Sequence, residues 1–486
     1  MRRLKFFTLF RTLQPEEVAA FQKYLKRMHS NEKVALGVYA YVKKFYPGFQ
    51  DEKKLDLSHI FRKVFGTAIE DNEYNRKKLL NALSDLNLWL KAFILSEKLN
   101  DNSFESRYLW LTILKERKMK QEFVQDAAQI QEELAVRSKR RSVTDYGQSL
   151  ALNQMVYNQF AEDNSTPLGQ AFLPLAANLD LYYAVTKIKM ACELVNMQNQ
   201  NQPVSEPGFL LEMPEIKETP ILNDHPLVQL YSEIYRLLSS RRDEHYSRVE
   251  ALLMAQAEKI DPIELGVMLI YLRNYGSSMV RKGEEQLWER VHRLNKLGVD
   301  NEVFIRRGTM TAREFLNIVN AAGKVGDFTW AEKFIRTRSR HLPADTRVHA
   351  ELLARTILQF EQKDFASIVR ELNLVNLKEL HDLHLLIRLR TMMLRCFYEL
   401  GKDQDTILTY CTNFENSLHR MHHPSTEAVV ATFNFITLLK ILIRKKTDKE
   451  TLQKKIHDTQ PVFFKPWLLE KTAGYKAEFA TRKRSK

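Results

Sequence analysis

Histidines and cysteines come first, because their side chains ligate metals and move protons or acyl groups near neutral pH. His381 and His384 stand three apart in HDLH, and His419, His422 and His423 follow in HRMHH. Spacings of three and four put imidazoles on one helix face, a geometry able to hold zinc. Neither cluster has an acidic-histidine motif placed to complete the ligand set, and Arg420 in the second repels a cation. Both read as ordinary surface histidines, and no metal or cofactor is expected. Cys192, Cys396 and Cys411 are widely spaced and odd in number, so they build neither a disulfide framework nor a zinc knuckle. None has an evident histidine and carboxylate partner. The phosphate loop GxxxxGK[ST], the nucleophile elbow and HExxH are all absent. The expectation is a protein that is not an enzyme.

Arginines along three later helices offer a different chemistry, since a guanidinium fork suits carboxylates and phosphates. In 311–322, Phe315, Val319 and Ala322 point one way and Arg313, Asn317 and Asn320 the other. In 347–360, Leu353, Thr356 and Phe360 oppose Arg347, Glu351 and Arg355. In 383–397, Leu386, Leu394 and Phe397 oppose Arg388 and Arg395. On one concave wall these side chains form a ladder for an acidic peptide or a C-terminal carboxylate. The bland alternative is that each arginine lies on a solvated helix face or pairs with a neighbour such as Glu351.

The elements that would position such a wall are helices. Only 15 Gly and 14 Pro occur in 486 residues, too few for the turns of an all-β protein, so the class is all-α. The length exceeds that at which one hydrophobic core keeps growing, which calls for several domains or one extended array. No run of about 18 or more apolar residues exists, so no membrane span is expected. The opening MRRLKFFTLFRTL is interrupted by Arg11 and followed by no cleavage site, so it is not a signal peptide and the chain reads as cytoplasmic. The net charge of +14 is uneven: residues 1–100 carry +8 and residues 440–486 carry +9, leaving −3 in the middle. Basic ends favour an acidic partner there over a nucleic-acid groove along the whole chain.

Periodicity divides the chain. Residues 1–70 form a small helical cap, with Pro15 in a first helical turn and Val18, Phe21, Leu25 and Met28 as a stripe. Leu79, Leu83, Leu86, Leu90 and Phe93 stripe a long helix expected to join the cap to the array. Residues 71–198 hold a first group of hairpins, with helices near 104–117, 119–139, 143–162 and 168–197. The basic knot Arg137–Arg141 between two of them reads as a solvated helix end. Residues 199–226 carry five prolines and form a linker or insertion. Hairpins resume over 227–424. Residues 425–486 supply capping helices, with Pro461–Leu469 over the last apolar face, and a basic tail.

Within 311–411 one unit recurs. GDFTWAEKFI, KDFASIVREL and KDQDTILTYC occupy equivalent places, headed by Asp327, Asp364 and Asp403 at spacings of 37 and 39. A fixed period of this order marks stacked units. Thr329 and Glu332 have capping-box spacing, which predicts the helix start. With Ala331 four residues beyond Asp327, this stretch resembles a tetratricopeptide-type helical hairpin. The resemblance covers about residues 230–415 and, more weakly, 100–200. The intervals are longer and less regular than that family's, and Ile368 and Ile407 replace the small residue. What it implies is a right-handed α-solenoid of antiparallel hairpins, scaffolding a partner protein on a concave face.

The sequence thus predicts a non-enzymatic adaptor for a protein partner or acidic peptide. The alternative is a nucleic-acid-associated protein whose Arg2, Arg3, Lys5, Arg482, Lys483 and Arg484 touch phosphates. Phe6 and Phe7 are placed for base stacking, but fit the cap's core better.

Overall fold

A computed structural model describes residues 5–49, 53–66, 72–137, 142–163, 168–199, 225–281, 283–306, 308–375, 380, 382–420 and 426–477. Among these residues there are 22 α-helices and no strand. The linker residues 200–224, the ends Arg2, Arg3 and 478–486, the knot at 138–141, and His381, His422 and His423 lie outside them. Two compact units divide the chain: Met1–Val136 with Gln148–Ala176, and Arg137–Gly147 with Ala177–Lys486.

The first unit contains α1 (Lys5–Phe10), α2 (Pro15–Met28), α3 (Lys33–Val42), α4 (Leu57–Phe65), α5 (Glu73–Leu99), α6 (Phe104–Glu116) and α7 (Lys120–Arg137). Pro15 opens α2, and the Gln14 N–H donates to Glu17 Oε2 at 2.6 Å, closing the first turn. The long stripe is more than a connector. Leu79, Leu83, Leu86, Leu90 and Phe93 are buried in one cluster with Phe10, Phe21 and Phe61, so α1 to α4 close on α5. Burying each such leucine is worth about 1.5–3 kcal/mol. Phe6 and Phe7 belong to the same core, at 1% and 2% exposure, and are closed to base stacking.

Two helices contribute to both units, α8 (Val143–Asp163) and α9 (Leu168–Asn199). The second unit continues with α10 (Pro226–Ser240), α11 (Asp243–Gln256), α12 (Pro262–Arg281), α13 (Leu287–Asp300), α14 (Ala312–Lys324) and α15 (Phe328–Arg338). It closes with α16 (Arg347–Glu361), α17 (Phe365–Asn373), α18 (Leu383–Glu399), α19 (Gln404–Arg420), α20 (Glu427–Arg444), α21 (Lys449–Asp458) and α22 (Lys465–Lys471). α10 packs on α11 and on α12, and from α12 onward each helix packs on its neighbours in sequence. One step further along, α14 meets α16, α16 meets α18 and α18 meets α20.

The recurring unit has a shared backbone cause. After α14, α16 and α18 one residue turns left-handed, Gly326 (φ 75°), Lys363 (φ 65°) and Gly401 (φ 63°). In each case its N–H returns to a carbonyl of the last turn, and the next N–H reaches one residue deeper: Asp327 to Ala322, Asp364 to Gln359 and Lys402 to Phe397. These are Schellman turns, which stop one helix and aim the chain back along it. Gly283 after α12 and Lys118 after α6 end their helices in the same way.

The three aspartates do not share one task. Asp364 accepts from the Ser367 N–H at 3.2 Å and Asp403 from the Thr406 N–H at 2.8 Å, capping α17 and α19. Asp327 caps nothing with its side chain. Its Oδ2 instead meets Lys296 Nζ at 2.6 Å and His292 Nε2 at 3.0 Å on α13. The capping box expected of Thr329 and Glu332 does not form. Asp327 is already the cap residue of α15, so Thr329 lies inside the helix.

Candidate functional site

A groove of about 630 Å³ in the second unit is lined by α9, α12, α13 and α14. From α14 come Arg313, Glu314, Asn317 and Asn320, whose steps of one, three and three keep them on one helix face. Trp288, Val291 and Asn295 present α13 at i, i+3 and i+7. Arg273 and Asn274 come from α12, and Glu193 and Asn196 from α9. Five asparagines therefore share one lining.

The charges are largely matched. Arg273 reaches Glu314 at 2.5 Å, and its guanidinium carbon lies 4.7 Å from the ring centre of Phe304. Glu193 Oε2 accepts from the Tyr271 hydroxyl at 2.6 Å. Burial and this carboxylate hold the Tyr271 phenol well above its ordinary range. Arg313 is exposed and forms no ion pair among the described residues. The Asn274 amide donates to Asn196 Oδ1 at 3.4 Å. Asn295 is 1% exposed, and neither Oδ1 nor Nδ2 has a hydrogen-bond partner among the described residues.

The seven positions predicted from sequence separate. Arg313, Asn317 and Asn320 line the groove. Arg355 is exposed on α16. Arg347 turns to its own loop, donating to the carbonyls of Arg340 and Leu342 at 2.9 Å each. Arg388 is half-buried on α18, and burial together with the charge of Arg313 lowers its guanidinium below the usual range. Arg395 is not on an open face. It is 7% exposed, with its guanidinium carbon 3.8 Å from the ring centre of Phe360, 4.3 Å from Phe464 and 5.4 Å from Trp467. Burial pushes its pKa down to about 10. The reason is that α18 is enclosed on nearly all sides, every residue from Thr391 to Phe397 being buried. Arg395 is a core residue stabilised by ring faces.

A second polar cluster in this unit escaped sequence reading. Glu264 on α12, 2% exposed, receives Lys189 Nζ at 2.9 Å on both oxygens, the Val143 N–H at 3.2 Å, and the Tyr231 hydroxyl. Burial and the Glu264 charge raise the Tyr231 phenol, so it stays a donor. The three cysteines are buried and free. Burial pushes the thiols of Cys396 and Cys411 up to about 12, away from thiolate chemistry. Among the described residues no three His, Cys, Asp or Glu side chains gather to hold a metal ion, and His384 and His419 are exposed. No described helix is long and apolar enough to cross a membrane.

No family model, curated protein or solved structure matches the chain. What the fold shares with a helical repeat is its helices packed against their neighbours.

Proposed function

We propose that the chain is a non-enzymatic adaptor, whose second unit continues as a right-handed stack of helical hairpins and holds a partner protein or acidic peptide along its first helices. The supporting observation is the groove. It gathers Arg313, Asn317 and Asn320 with amides from three other helices, and the exposed Arg313 guanidinium is open to a carboxylate. The ordered packing of α14, α16, α18 and α20 supports the stack. Arg355 is exposed on α16, whereas Arg347 and Arg395 act within the fold.

The test is affinity purification from the native source with wild-type chain and Arg313→Glu, followed by identification of bound proteins. Arg313 is exposed, so the reversal leaves folding intact. A specific partner recovered by the wild type and reduced at least about tenfold by the reversal, equivalent to about 1.4 kcal/mol, supports the reading. Equal recovery by both forms, or no specific partner, removes it.

A further inference from the structure

The groove's chemistry is that of the amide group. Asn274, Asn317 and Asn320 offer paired donors and acceptors, which is what a peptide unit presents in return. The side chains of Asn317 and Asn320 form no hydrogen bond among the described residues. In the groove's lining, Asn295 leaves two buried polar atoms without a partner among the described residues, which costs about 1–3 kcal/mol per group unless a ligand, an ion or water supplies the missing bonds. Arg313 and Asn317 stand four residues apart on α14, a rise of about 6 Å. That is close to the two-residue repeat of an extended chain, about 6.6–6.8 Å, after which side groups point the same way again.

Charge chooses the class of ligand. Glu193 and Glu314 place two carboxylates in the lining, and Arg273 is already paired with Glu314. With Glu314 matched by Arg273, a phosphate-bearing ligand would meet the Glu193 carboxylate with Arg313 as the one lining cation outside an ion pair among the described residues. A neutral main chain meets no such penalty, and Arg313 can take one carboxylate at the edge.

We propose that the groove between α9, α12, α13 and α14 captures an extended segment of a partner protein by its main chain. Asn274, Asn317 and Asn320 pair with its peptide units, and Asn295 completes its bonds once the segment is seated. Arg313 meets an acidic side chain or a terminal carboxylate. This inference rests on the adaptor reading and adds its mode of recognition: backbone first, side chains second. The segment's sequence is therefore only loosely specified, apart from one acidic group.

The probe is a random dodecapeptide library displayed on phage and selected against the full chain, with the recovered peptides synthesised and measured by fluorescence polarisation. The expected binders share an acidic residue or free C-terminus and little else. N-methylation of their central amides weakens binding about tenfold or more. Asn317→Ala and Asn295→Leu each weaken it by a similar factor, and Arg313→Ala abolishes the preference for the acidic group. Because Asn317 is exposed, its variant reports on contact rather than on folding. Binding indifferent to N-methylation, or to both asparagine variants, overturns the proposal. So does a library that yields no binder, or displacement of the bound peptide by AMP, which would make the groove a nucleotide site. Two results tell the readings apart. A native partner lost with Arg313→Glu but fully retained by Asn317→Ala and Asn295→Leu sinks main-chain capture and spares the adaptor. The absence of any native partner sinks the adaptor reading itself.

Discussion

Glu264 and Asn295 are both polar, both nearly inaccessible, and on consecutive helices of the chain, yet they are treated in opposite ways. Glu264 is surrounded by donors from α8, α9 and α10, so a buried carboxylate carries little residual cost. Asn295 is left with a donor and an acceptor facing no described partner. A satisfied network ties helices together, whereas the unsatisfied amide beside the groove is, under the proposal above, the group that a bound segment completes. On that proposal the first buried polar group belongs to the architecture and the second to the task.

The largest expected effect tests the satisfied side. Glu264→Leu removes the acceptor of Lys189, Tyr231 and the Val143 N–H at once, and should destabilise the chain by about 3–5 kcal/mol in urea unfolding. A loss below about 1 kcal/mol would mean that the network contributes little and would erase the distinction. Asn295→Leu should go the other way, leaving stability unchanged or raising it by about 1 kcal/mol, because it deletes two orphaned groups in a similar volume. A clear loss of stability would show that the amide has partners within the fold.

The smallest effect concerns the α13–α15 contact, which lies between the two extremes. Burial lowers the pKa of His292, so the unfolded chain binds its proton more readily, and stability should fall as pH drops below about 6.5. Lys296 and His292 lower the pKa of Asp327, so its contribution is complete above about 3.8 and is lost as pH falls further. Unfolding measured across pH should show both limbs, each under about 1 kcal/mol. His292→Gln should flatten the first and Asp327→Asn the second. Unchanged profiles in these variants would assign the acid sensitivity to other groups.

Sequence reading reached the helices more readily than the groove. Helices expected near 104–117, 119–139, 143–162 and 168–197 are found at Phe104–Glu116, Lys120–Arg137, Val143–Asp163 and Leu168–Asn199, because apolar periodicity records the buried face directly. The repeat at Asp327, Asp364 and Asp403 was visible because left-handed turns and caps draw on few residue types. Its chemistry was not, since the carboxylate of Asp327 is claimed by α13 and not by its own helix. Arg395 was placed on an open face because a helical wheel assumes one solvated side, and α18 has hardly any. The groove was half legible. Arg313, Asn317 and Asn320 share a helix and could be read together, while Asn196 and Asn274 meet across 78 residues. One signal was within reach: asparagine is a poor helix former, and its placement inside α9, α12, α13 and α14 asks for a reason.

The ring-lined pocket around Arg395 ties the middle of the second unit to the last segment of the chain. Two of its three walls, Phe464 and Trp467, are made after every hairpin from α10 to α19 has been synthesised. Until they arrive, the guanidinium must stay hydrated, and α18 cannot take up its final dry surroundings. The middle of the second unit is thus fastened by residues that follow it in the chain, as a latch closes a box already filled.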